Sequence, residues 1–195
     1  MGIDKSMYTG ELVRLRALEM SDLNDIMRFF NTLELRRYLG PPIVRSRKYM
    51  EEWLQKVSIW EPWKDGQLVL AIEEKKTGQF LGIARLEDIL LPHNRAEAGI
   101  SIYDPTKRGK GYGKDAMLVL LGVGFNILGL HSIYLDTMED NERSIRIYEK
   151  IGFKRVGLLR ETEYIDGVRK GLLIMDMLQS EYDTKYPEGT FTHPK

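Results

Sequence analysis

Two spacings of apolar residues take turns along this chain. Over residues 11–16, Glu-Leu-Val-Arg-Leu-Arg, apolar and polar side chains alternate with the period of a half-buried strand. Ser21-Asp22 then opens a stretch in which Leu23, Ile26, Met27 and Phe30 recur at helical spacing. Gly40-Pro41-Pro42 stops it, and Ser46 caps a second helix carrying Met50, Trp53, Leu54 and Val57, which ends at Trp60-Glu61-Pro62-Trp63. Strand patterns follow at 68–73 and 80–86, joined by a turn at 76–79 as a hairpin, and at 96–103, ending on Asp104-Pro105. A long apolar helix spans about 112–128 and closes at Gly129. Residues 132–137 return to strand, and Asn141 caps a short helix that runs to Lys150 and stops at Gly152. Two last strands, 155–164 and 170–177, flank the turn Asp166-Gly167.

The strand–loop–helix–strand unit over 96–137 needs a crossover, so its two strands are expected to be parallel. The remaining strands read as antiparallel hairpins. The expected architecture is α/β of the mixed α+β kind: one domain over 1–180, with helices on both faces of a mixed, largely antiparallel sheet of about seven strands. A polar tail, 181–195, follows it.

Composition narrows the function. Of 195 residues, 43% are hydrophobic, enough for one ordinary core. Lys+Arg and Asp+Glu both number 29, so bulk charge argues against nucleic acid as a partner. There is no cysteine, which excludes disulfides, thiolate metal sites and a cysteine nucleophile. His93, His131 and His193 are scattered without metal-ligand spacing, so no metal is expected. No apolar run reaches membrane-spanning length and the first residues lack an apolar core, so a cytoplasmic location is expected.

The most informative stretch is Arg108-Gly109-Lys110-Gly111-Tyr112-Gly113-Lys114, between a strand and the apolar helix. Its glycines let the backbone approach a ligand, and the helix that follows presents free N–H groups and a positive dipole end. Such a loop suits a diphosphate. A nucleotide P-loop is excluded, because Asp115 stands where a hydroxyl is needed and no glycine lies five residues before Gly113. The dinucleotide fingerprint fails because its last glycine is misplaced, although Asp136 falls where its acid would stand.

Arg108, Gly111 and Gly113 do form Arg-x-x-Gly-x-Gly. With Asn141…Tyr148-Glu-Lys-Ile-Gly152-Phe153 and Glu97-x-Gly99-Ile100, the chain resembles the GNAT family of acetyl-CoA-dependent N-acetyltransferases over residues 10–180. The resemblance implies acetyl-CoA as co-substrate. It also implies direct acetyl transfer to a primary amine in a ternary complex. By that resemblance, backbone N–H groups of Gly109, Lys110, Gly111, Tyr112, Gly113 and Lys114 hold the pyrophosphate, with Arg108, Lys110 and Lys114 adding positive charge around it, and backbone groups near Ile102 and Tyr103 pair with the pantetheine arm. Asn141 stands beside the coenzyme, or serves as a helix cap, or both. Tyr148 protonates the departing thiolate. The base is left open between Glu97, Asp88 and a water path.

The segment from Gly157 to Arg169 is similar both to acetylases of ribosomal-protein N-terminal alanine or serine and to spermidine acetyltransferases, and residues 92–97 resemble the latter. Arg36, Arg37, Arg45, Arg47 and Lys48 face no acid within residues 36–48, which departs from a polyamine groove. The aromatics Tyr38, Tyr49, Trp53, Trp60 and Trp63 are candidates for a peptide-accepting wall. The expected acceptor is therefore a peptide or protein N-terminal amine. Polyamines or other small amines are the alternative, and a non-catalytic acyl-CoA-binding module is the reading from a different class. A homodimer through the C-terminal strands remains open.

Overall fold

The computed structural model describes residues 8–36, 39 and 43–187. The expected stop at Gly40-Pro41-Pro42, together with Arg37, Tyr38 and His193, lies outside them. Seven strands form one sheet: β1 (Val13–Ala17), β2 (Leu68–Glu74), β3 (Phe80–Leu90), β4 (Arg95–Ile102), β5 (Ser132–Met138), β6 (Lys154–Ile165) and β7 (Val168–Leu178). Their order is β1-β2-β3-β4-β5-β7-β6. Only β4 and β5 are parallel, and all other neighbours are antiparallel. The hairpin between β6 and β7 turns on Asp166 (φ 52°) and Gly167 (φ 82°), the two left-handed residues of a tight hairpin turn.

Alternation along the strands divides the core between two faces. One face carries α1 (Leu23–Phe30), α2 (Leu33–Arg36) and α3 (Arg47–Val57), which bury Leu23, Ile26, Leu35, Met50 and Leu54 against Ala71, Ile83 and Tyr103. The helical spacing foretold this for α1 and α3, and the Ser46 hydroxyl accepts the Tyr49 N–H at 3.1 Å as a cap. The four residues of α2 and of α4 (Pro62–Asp65) are too short to show a period in the sequence. Asp22 does not cap α1. Its carboxylate pairs with Arg16 at 2.7 Å and accepts the Glu19 N–H at 3.0 Å, which closes a 3-10 turn first.

On the other face, α5 (Tyr112–Gly122) and α6 (Glu142–Ile151) cover the sheet. Ala116, Met117, Val119, Leu120 and Leu121 of α5 are fully buried, and a large apolar side chain taken from water stabilises the fold by roughly 1.5–3 kcal/mol. The α-helix is shorter than the expected 112–128, because Val123–Ile127 continue as a π-turn. There Gly124 lies so close to β5 that a Cβ would stand 2.5 Å from Ile133 Cδ1. Residues 182–185, within the expected polar tail, belong to α7 (Gln179–Lys185), whose buried Tyr182 packs against Phe125 and Tyr186 at ring distances of 5.0 and 5.2 Å.

Candidate active site

The parallel pair β4–β5 holds together over three residues only. Arg95, Ala96 and Glu97 face Ser132, Ile133 and Tyr134, and beyond them the strands part. On its other side β4 stays paired with β3 as far as Ile102. The Tyr103 N–H donates to the Leu81 carbonyl at 2.9 Å. Bonded residues alternate along an antiparallel strand, so Ala98, Ile100 and Ile102 turn their backbone groups toward the open side. Ile102 thus faces the cleft as expected, whereas the Tyr103 N–H is committed to the sheet. An extended acyl-pantetheine arm matches the open edge offered by the backbone groups of Ile100 and the N–H of Ile102 as an added strand.

At the mouth of this cleft the glycine loop enters α5. Gly109 (φ 82°) and Gly111 (φ 93°) are left-handed, a conformation costly for any residue with a Cβ. Gly113 is different: a Cβ there would make ordinary contacts of 3.7 Å with Ile102 and 3.9 Å with Ile100. The first turn of α5 supplies the free N–H groups a diphosphate requires, and Lys110 and Lys114 stand exposed around it.

The side chains of two other loop residues are spent elsewhere. The Arg108 guanidinium donates to the Ile102 carbonyl at 3.0 Å and the Tyr103 carbonyl at 3.3 Å, and pairs with Glu34 at 2.7 Å. Its charge braces the loop instead of facing the anion, as the sequence had implied. The Tyr112 hydroxyl donates to Glu74, which also receives Lys107 at 3.1 Å and the Thr77 hydroxyl at 2.6 Å. These donors hold the Glu74 carboxyl at about 2, well below its ordinary 4.5.

Asn141 caps α6, its side-chain oxygen accepting the Ser144 N–H at 3.3 Å. Two turns on, Tyr148 packs edge-on against Phe153 at 5.8 Å. Burial pushes its phenol up to about 12; Asp136 adds to the rise and Arg85 opposes it. Tyr148 therefore stays a neutral hydrogen-bond donor at any physiological pH.

Glu97 points from β4 to the face that carries α1 and α3. Desolvation raises its carboxyl above the ordinary range; Asp136 and Glu87 add to the rise, while Arg85 and a hydrogen bond from Tyr134 oppose it. Asp136 is raised as well, first by desolvation. Arg85 pairs with Glu87 at 2.7 Å. It occupies space that Gly99 leaves, since a Cβ on Gly99 would come within 2.8 Å of its Nε. Glu97-x-Gly99 is thus one device: the first residue supplies a carboxylate and the second makes room for the guanidinium beside it. Asp88 sits in a left-handed bulge (φ 50°), exposed at the rim. Arg85, Glu87, Tyr134 and Asp136 carry no local motif. The signal available in the sequence was only strand alternation, which puts Arg85 with Glu87 and Tyr134 with Asp136 on common faces.

Next to this cluster a pocket of about 180 Å³ is lined by Phe30, Tyr49, Trp53, Trp60 and Tyr103 together with Arg36, Arg85 and Glu87. Of the aromatics expected there, Trp63 is 56% exposed on α4, away from the pocket, and Tyr38 is outside the described residues. Arg36 is buried over the Phe30 ring at 4.8 Å, and Arg45 lies over Tyr49 at 4.5 Å. Arg47 and Lys48 pair with Glu51 and Glu52 on their own helix. Among the described residues no group of three or more acidic or histidine side chains is arranged to hold a metal ion. Among them, too, no helix is long and apolar enough to cross a membrane.

Known proteins resemble this chain in sequence and in fold. The model of the acetyltransferase (GNAT) domain matches residues 13–154. The chain belongs to the GNAT family. Within it, this protein is an N-acetyltransferase that takes its acetyl group from acetyl-CoA. Spermidine N(1)-acetyltransferase of Escherichia coli K12 is 28% identical over 190 residues, which cover 96% of this chain and 98% of the relative. The Vibrio cholerae spermidine N(1)-acetyltransferase is 30% identical over 168 residues, or 86% and 94% of the two chains. The crystal structure of the spermidine N-acetyltransferase from V. cholerae with CoA and spermine superposes with a TM-score of 0.78 at 31% identity, covering 88% of this chain and 98% of that one.

Proposed function

We propose that the acceptor is a polyamine, acetylated on a primary amino group. The observation that carries this reading is the charge of the cleft floor, where Arg85 pairs with Glu87 at 2.7 Å and also interacts with the carboxylates of Glu97 and Asp136. An alkylamine arrives as an ammonium ion, and a carboxylate-lined recess beside aromatic rings favours such a cation. The relatives named for spermidine support the same class. The peptide N-terminus expected from the arginine-rich segment becomes the second reading. It is favoured by Arg36 and Arg45, which suit the carbonyl and carboxylate oxygens of a peptide and are of no use to a polyamine.

Each candidate residue has one task. Acetyl-CoA, when bound, supplies the activated acetyl thioester. The loop from Gly109 to Lys114 and the edge of β4 orient it. Glu97, directly or through a water, takes the proton from the ammonium so that the nitrogen lone pair is free to attack. Tyr148 holds a proton at its phenol oxygen for the departing sulfur.

The test mixes the protein with acetyl-CoA and spermidine, short peptides beginning with Ala or Ser, and an aminoglycoside, and follows free thiol with a chromogenic disulfide. The chain has no cysteine, so it adds no thiol of its own. The expected result is the highest kcat/KM with spermidine. Tyr148→Phe is expected to lower turnover roughly 100-fold while coenzyme binding persists. A preference for peptides would hand the function to the second reading. Coenzyme binding without thiol release from any amine would point to a binding module.

A further inference from the structure

We propose that Arg143 grips the diphosphate of the coenzyme from the far side of the cleft, in the place that the motif arginine, Arg108, leaves vacant. The inference rests on reading residues 109–114 as the diphosphate loop.

Three observations lead to it. First, Arg143 is on α6, which follows β5, whereas the loop follows β4, so the side chain reaches across the two arms of the parted sheet. Its Nη2 stands 2.8 Å from where a Cβ on Gly109 would be. The guanidinium thus lies directly over the loop, in space that only glycine provides. Second, several neighbouring cations are already engaged: Lys107 by Glu74, Arg108 by Glu34 and two carbonyls, and Arg146 by Glu142 at 2.8 Å, while Lys110 and Lys114 stand exposed on the loop's own side of the cleft. Among the described residues no hydrogen bond or ion pair holds the Arg143 guanidinium, although Glu142 stands next to it in the chain. Third, a guanidinium beside the positive end of α5 is a like-signed juxtaposition that raises the energy of the empty site. An anion between them reverses the sign of both interactions.

The chemistry selects a diphosphate. A planar guanidinium presents two parallel N–H donors that match adjacent phosphoryl oxygens, while the backbone N–H groups of the loop approach the same anion from the other side. Arg143 would then bind the coenzyme and bridge the arm bearing Tyr148 to the arm bearing Glu97. Its role is to bind and position. It takes no part in the proton transfers.

The experiment measures dissociation constants of CoA and of 3′-dephospho-CoA by calorimetry, for the wild-type chain, Arg143→Gln and Arg143→Lys. A charge-assisted hydrogen bond corresponds to roughly a 10- to 100-fold change in affinity. We expect Arg143→Gln to weaken both ligands by about that factor, and Arg143→Lys to fall between it and wild type. The melting temperature of the ligand-free protein should not fall, because the side chain is exposed and loses no partner among the described residues. Unchanged affinity in Arg143→Gln would overturn the proposal. So would a penalty with CoA that vanishes with 3′-dephospho-CoA, since the arginine would then serve the 3′-phosphate. If the wild-type chain bound neither ligand, the diphosphate-loop reading itself would fall.

Discussion

Glu97 and Tyr148, the proposed base and acid, show how environment can divide two proton-handling roles between ordinary side chains. Both are pushed upward by desolvation, and the consequences differ. A raised carboxylate holds its proton to a higher pH, so the fraction of Glu97 able to accept a proton rises with pH through a value above its ordinary 4.5. A phenol moved to about 12 stays protonated throughout the working range. The acid limb of the kcat/KM profile is therefore expected to lie above the usual carboxylate range, and Glu97→Gln should flatten it and lower the rate. A profile unmoved by Glu97→Gln would transfer the proton to a water path or to Asp88. At this scale the sequence was readable in part. Gly111 is left-handed where the motif calls for glycine, and Gly109, outside the motif, is left-handed as well, but Arg108 does not carry its charge to the loop, because Glu34 and two carbonyls at the end of β4 claim it first.

Among the elements, β4 matters most, since it carries Glu97 and the backbone edge proposed to meet the coenzyme. Its position depends on the close approach of β3. A Cβ on Gly82 would stand 1.9 Å from the Ser101 carbonyl oxygen, so β3 and β4 pair here only because residue 82 has no side chain. Gly82→Ala is expected to destabilise the fold by about 1–3 kcal/mol and to weaken coenzyme binding, as β4 is forced toward the cleft. Thermal melts and calorimetry would check both, and an unaltered melting temperature would refute the clash. The main helices and strands were legible because period and caps agree, as with Ser46 before α3 and Asn141 before α6. The π-turn after α5 was not, since its contact is with Ile133 on a strand later in the chain.

Across the whole molecule, Glu74 joins the β2–β3 turn to the loop and α5 through Thr77, Lys107 and Tyr112. Its carboxyl sits at about 2 in the folded protein against an ordinary 4.5, so the folded state gives up the stability of this ion as pH falls from about 4.5 toward 2, and retains all of it above. Urea unfolding between pH 2 and 6 should show a shallower acid loss for Glu74→Gln than for wild type, and identical slopes would exclude Glu74 as a source. The sequence by itself determined the local elements, the glycine loop and, through the resemblance those motifs carry, the reaction class. These depend on residues within one or two turns of each other. Tertiary structure alone decided where β4 leaves β5, because pairing stops according to register between residues about 37 positions apart. It also decided that Arg85, Glu87, Glu97 and Asp136 meet from three strands, and that Arg143 lies over Gly109 in place of the motif arginine. Such encounters follow from which faces pack and which cations find a partner first, and no local pattern records either.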